Sequence, residues 1–178
     1  MIVCIGALAM GGLPGRFGET RDLAVAVAWF AALTVLLATD LDQRLLPDEI
    51  TLPLIPLSFV VLLAGWDPVL ADKSMGVASG LAAGVLAPLF LGLTSFLFGA
   101  AARAADPLGM GDLKLAVSLG LVSGLSQLVA GFVLASAAFG VLLIVLLASR
   151  RISLRGFVPF GPVLILAGFL AVIRGPVW

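Results

Sequence analysis

The chain has 178 residues, of which 62% are hydrophobic and 11% charged, with ten Lys and Arg against ten Asp and Glu. A mean hydropathy of +1.24 marks a membrane chain, and a net charge of zero offers no electrostatic footprint for nucleic acid. The complete lack of His and the single cysteine, Cys4, exclude Ser–His and Cys–His nucleophilic pairs, an HExxH zinc site and an internal disulfide.

The opening "MIVCIGALAMGGLPG", residues 1–15, is apolar but short and lacks the positive n-region of a signal peptide; it is expected to form a partial or re-entrant helix. Residues 16–178 are expected to form one transmembrane domain. A spanning helix needs about 20 apolar residues, and "LAVAVAWFAALTVLLAT", 23–39, is the first clear candidate, closed by Asp40. "ITLPLIPLSFVVLLAGW", 50–66, is the second, with Pro53 and Pro56 expected to kink or loosen its first turns. Residues 75–102 make a longer Gly- and Ala-rich span, tilted or broken. The uncharged run 115–148 exceeds one span and falls short of two, so we divide it into a short helix from Asp112 to about Gly124 and a full one to about Ala148. "GFVPFGPVLILAGFLAVI", 156–173, is the last span. The fold class is therefore all-α, a polytopic transmembrane helical bundle of about six spans plus the short N-terminal segment. "GLAAG", 80–84, and "ASAAFG", 135–140, read as close helix contacts.

Counting crossings, the chain leaves its first span at Asp40, crosses twice and re-enters at Asp112. Both aspartates then sit on one face, 72 positions apart in sequence. The loops on that face hold Arg44, Arg103, Lys114, Arg150, Arg151 and Arg155, against Arg16, Arg21, Lys73 and Arg174 opposite. The positive-inside rule puts the aspartate face in the cytoplasm.

An ionisable group near hydrocarbon is costly, about 2.5 to 3.5 kcal/mol at a helix centre, and usually marks function. "TDLDQRLLPDEITLPL", 39–54, carries Asp40, Asp42, Asp48 and Glu49 with Arg44 among them. Asp42, Asp48 and Glu49 also suit a solvated loop, and Asp48 suits the N-cap of the second span. Asp40 differs because it follows directly on the apolar run; at about 100° per residue Asp42 points far from it. In "GMGDLKLAVSLG", 109–120, Asp112 stands at the mouth of an apolar helix. Gly109 and Gly111 flank Met110 and would let a loop hold an extended peptide beside the carboxylate, though loop glycines and an N-capping Asp112 fit the same pattern. Lys114 could neutralise a nearby acid or snorkel to the interface.

With His and Tyr absent, carboxylates are the plausible general acid–base groups, and Lys73 and Lys114 come second. Two aspartates on one membrane face suggest a dyad. Acids sharing a site do not both ionise cheaply. The ionised one can deprotonate a water while the protonated one polarises a peptide carbonyl, as in soluble aspartic proteases. The pair titrates as a unit, so acid and base are not assigned individually.

Three segments in this order, "DLDQRLLPDEITLPL", "GMGDLKLAVSLG" and "VPFGPVLILAG", resemble the type IV prepilin peptidases. These are bacterial leader peptidases of the GxGD class of intramembrane aspartic proteases. Archaeal preflagellin peptidases and, more distantly, presenilin-like proteases are related to them. The resemblance covers about residues 16–175. It implies that Asp40 and Asp112 are the catalytic pair; Asp42, Pro47, Asp48, Gly109, Met110, Gly111 and Lys114 beside them are the candidates for binding substrate or supporting the site. It further implies cleavage of a short basic leader after a glycine at the cytoplasmic face of the bacterial inner membrane. The partners would be prepilin or pseudopilin precursors and membrane lipid, with water as nucleophile and neither metal nor cofactor. Many members also carry paired CxxC motifs associated with N-methylation, which these residues lack. The expectation is a short, peptidase-only chain or one cut at its start, without methyltransferase activity.

Two other classes use acids at membranes. A proton-coupled transporter would place them deep in spans within repeated, broken helices, whereas here they sit at helix ends. A prenyl- or lipid-transferring enzyme would hold Mg²⁺ on longer aspartate motifs than Asp40-x-Asp42.

Overall fold

The computed structural model describes residues 20–43, 46–66, 73–102, 109–148 and 161–174. The opening segment 1–15 lies outside the described residues, as do Arg16, Arg44, Arg103, Arg150, Arg151 and Arg155. Every regular element among the described residues is helical: α1 (Thr20–Gln43), α2 (Asp48–Ala64), α3 (Lys73–Ala102), α4 (Met110–Ala148) and α5 (Gly161–Arg174). Leu23–Asp42, Gly76–Leu97 and Met110–Ala138 reach the length and apolarity of a membrane span. Three segments rather than six do so, because α2 has 17 residues, α5 has 14, and the two halves of α4 follow each other without a gap.

Local chemistry explains the helix ends. Pro47, extended at φ −66° and ψ 129°, precedes α2, and its carbonyl accepts the amides of Ile50 and Thr51 at 3.1 Å each. Asp48 is therefore not the cap. It is the first helical residue and, with Glu49, puts negative charge on the positive end of the helix dipole. Pro53 and Pro56 remain inside α2, as Pro88 does inside α3. Neither helix is broken, so of the two forms expected for 75–102, tilted or broken, the broken one does not occur. The turn of α2 that follows its prolines is bound by the Ser58 hydroxyl, which donates to the Leu54 carbonyl. Gly65, left-handed at φ 64°, ends α2: its amide bonds the Leu62 carbonyl and that of Trp66 bonds Val61.

α4 breaks where the sequence suggests. Gly124 has φ 67° and ψ 171°, a region essentially closed to residues with a Cβ. The Leu125 amide, next in the chain, bonds the Ser79 hydroxyl of α3 at 3.1 Å. The contacts on either side show that the chain reverses here. A Cβ on Gly168 of α5 would meet Leu119, before the break, while one on Gly131, after it, would meet the Ala167 carbonyl. Both halves of α4 thus lie at one level of α5. Farther along, Ala135 packs with Val163. The second half therefore runs back toward the start of α5.

The same reasoning orders the rest. Gly80, Gly84 and Gly92 of α3 lie against Leu121, again Leu121, and Leu113 of α4, an antiparallel pairing. Gly80 also abuts Leu62 near the end of α2. α1 runs antiparallel to α5, with Leu33 close to Gly168 and Asp40 against Gly161. The end of α1 and the starts of α2, α4 and α5 consequently share one end of the bundle.

The core lies between α1, α4 and α5, where the rings of Phe30 and Phe169 meet at a tilt of 54° with centroids 4.9 Å apart and Leu33, Leu36, Leu115, Leu119 and Ile165 are fully enclosed. The first half of α4 is buried on nearly every side. Small residues allow this: Gly120 lies so near Ala83 that a Cβ would sit 2.5 Å from its backbone. Of the second small-residue stretch, Ala135 is buried in the core, whereas Gly140 has no close neighbour. Outward faces are also apolar. On α3, Val85, Leu89, Leu93 and Leu97, four residues apart, form an exposed stripe flanked by Phe90 and Phe96. Such a continuous face fits hydrocarbon and would be a liability in water.

Candidate active site

Of all the expected site residues, Asp40 and Asp112 are the two buried acids, at 5% and 8% exposure. Asp40 is carried by the last turn of α1 and Asp112 by the first turn of α4, at the shared end of the bundle. Asp112 lies close enough to Asp40 to feel its charge. Asp42, two residues on from Asp40, is exposed, as the helical angle between them requires.

Asp112 is held from behind by its own helix start. Its amide donates to the Gly109 carbonyl at 3.1 Å, and the Gly109 amide hydrogen-bonds its carboxylate. It is thus the third residue of α4 and not an N-cap. Asp40 is held differently. Among the described residues its Oδ2 is buried with no hydrogen-bond partner. A Cβ at Gly161, the first residue of α5, would sit 2.5 Å from that oxygen and 2.8 Å from Cγ. The bare Cα of a glycine is what lets the carboxylate lie against the start of α5.

The two glycines around Met110 do different things. A Cβ on Gly109 would lie 3.9 Å from Asp112 Oδ2, an ordinary contact, so this position borders the carboxylate without being crowded. One on Gly111 would fall 2.7 Å from the Leu46 Cβ and 3.3 Å from the Leu46 carbonyl. The space at Gly111 is therefore taken by Leu46, just before α2. Met110 points outward, 71% exposed. Lys114 pairs with Asp48 at 2.6 Å, tying α4 to the start of α2 beside Pro47. Among the described residues, no three or more His, Cys, Asp or Glu side chains gather as a metal ion would need. Gly161 and Leu46 were not singled out from the sequence. The Gly-Pro pair opening the last helix was the available sign for Gly161; Leu46 had none.

A model of the type IV leader peptidase family matches residues 27–145, a range that includes both buried aspartates. The prepilin leader peptidase/N-methyltransferase of Pseudomonas putida is 33% identical over 161 residues, which is 90% of this chain and 53% of that protein. The protein of the same description from Pseudomonas aeruginosa is 29% identical over 170 residues, 95% of this chain and 56% of its own length. That from Aeromonas salmonicida is 35% identical over 156 residues, covering 85% and 49%. The chain spans about half the length of the curated relatives it matches. No solved structure matches it. On the match over residues 27–145, the chain belongs to the type IV leader peptidase family.

Proposed function

We propose that the chain is a membrane aspartic endopeptidase that removes the basic leader of type IV prepilin-like precursors, with Asp40 and Asp112 as its catalytic pair. The observation that carries this is the meeting of two buried carboxylates, from distant helices, at one end of an apolar bundle. The buried Oδ2 of Asp40, which has no hydrogen-bond partner among the described residues, supports it, because such an oxygen is costly unless a water or substrate group completes it.

The ionised member of the pair takes a proton from water as its oxygen attacks the scissile carbonyl carbon. The protonated member donates to the carbonyl oxygen. Collapse of the tetrahedral intermediate breaks the C–N bond, and the leaving amine takes up a proton. α1, α2, α3, the two halves of α4, and α5 would make six crossings of the bacterial inner membrane. The site would face the cytoplasm, where the positive-inside rule puts Arg150, Arg151 and Arg155. Methyl transfer is no part of the proposal, since these residues contain one cysteine and no CxxC motif.

The test is cleavage of a prepilin by the purified chain. Asp40→Asn and Asp112→Asn keep volume and lose acid–base function, so each should abolish cleavage, and the double variant should be no worse, because members of one catalytic unit are not additive. Asp42→Asn should cleave. Wild-type cleavage by Asp112→Asn in folded protein would end the aspartic-protease reading.

A further inference from the structure

The ion pair between Lys114 and Asp48 has no part in the proposed chemistry, yet it lies beside it. Lys114 is two residues beyond Asp112, and Asp48 opens the helix that follows the connection from Asp40. Taken alone, the pair would mean little: Asp48 is 59% exposed, and exposed ion pairs add little to stability. A second contact changes its meaning. Leu46 rests on Gly111 with no room for a Cβ between them. Gly111 and Lys114, three residues apart, lie on one face of α4. The segment from Leu46 to Asp48 is thus attached to α4 at two points a turn apart, one through backbone-level packing and one through charge.

We infer that this attachment is a strut that sets the separation of the two buried carboxylates. The chain that leaves Asp40 at the end of α1 is fastened, before α2 begins in earnest, to the turn of α4 that carries Asp112. Movement of either helix end would have to break the ion pair or lift Leu46 off Gly111. Asp48, Lys114 and Leu46 are positioning residues in this scheme and touch no reacting atom. The role rests on the peptidase reading, but the strut is a structural claim with its own readout.

Leu41 and Met110 are exposed at the two helix ends and accept spin labels. In the full chain with Cys4→Ser, the distance between labels at 41 and 110 is measured by double electron–electron resonance in lipid nanodiscs. A narrow distribution is expected with Asp48 and Lys114 intact. Asp48→Asn and Lys114→Gln should each broaden it, and the charge-swapped pair D48K/K114D should narrow it again. Unlabelled chains are assayed in parallel: each single variant should lose about tenfold in kcat with KM within about twofold, and the swap should recover part of the loss. Single variants that keep the narrow distribution, or a swap that leaves it broad, overturn the strut. Broadening without loss of kcat overturns its positioning role. If the distances behave as expected while the parent chain cleaves no prepilin, the strut stands and the peptidase reading falls.

Discussion

Replacing Gly161 by Ala separates the demands of folding from those of chemistry at one atom. The added methyl carbon would lie 2.5 Å from Asp40 Oδ2 and 2.8 Å from Cγ, whereas ordinary contact begins at 3.4 Å. The carboxylate must therefore retreat by about 0.9 Å. For the fold this is cheap, since the obstructing atoms are the far end of a side chain. For catalysis it is expensive. A misplacement of about 1 Å can cost about 100-fold, equivalent to about 2.7 kcal/mol of barrier at about 1.36 kcal/mol per tenfold. With purified Gly161→Ala and a prepilin substrate, kcat should fall about 100-fold while KM stays within about twofold. The melting temperature in detergent should match that of the wild type. A variant that cleaves within about threefold of the wild-type rate refutes the reasoning, because the position of Asp40 would then be immaterial to catalysis.

Gly120→Ala should show the opposite pattern, losing stability first. Its Cβ would sit 2.5 Å from the Ala83 carbonyl group and 2.7 Å from the Gly84 nitrogen, backbone atoms that yield only if α3 and α4 part. Overpacking of this kind costs about 1–3 kcal/mol, so an unchanged melting temperature would contradict the contact. Topology is checked by cysteine labelling in a Cys4→Ser background: single cysteines at 45 and 106 should react from the cytoplasmic side and one at 71 from the other. Labelling of 45 and 106 from opposite sides would remove the basis for a shared site.

The helices themselves were legible in order and nearly in extent. Uncharged runs of membrane length leave few other structures open to the backbone. Helical angle said that only one of Asp40 and Asp42 faces inward, and the apolar run ending directly at Asp40 chose between them; Asp40 is buried and Asp42 exposed. Gly124 was also placed from length, since 115–148 is too long for one span and a glycine supplies the backbone angles for a break. Bookkeeping of crossings put Asp40 and Asp112 on one face, and the helix contacts bring them to one end of the bundle.

Tertiary structure alone decided what each of these residues touches. In a soluble helix the apolar stripe reveals the packed face. Here Val85, Leu89 and Phe90 face outward while Leu115 and Leu119 are enclosed, and nothing in their chemistry distinguishes lipid-facing from core positions. Hydrophobic periodicity therefore carries little about helix rotation, and rotation decides every long-range contact. Lys114 could have met any acid at this end of the bundle; it meets Asp48, 66 residues away. That Gly111 lies against Leu46 was settled only by the packing of the segment before α2 onto α4. Gly161 was one of 21 glycines until the antiparallel fit of α1 and α5 laid its Cα against the Asp40 carboxylate.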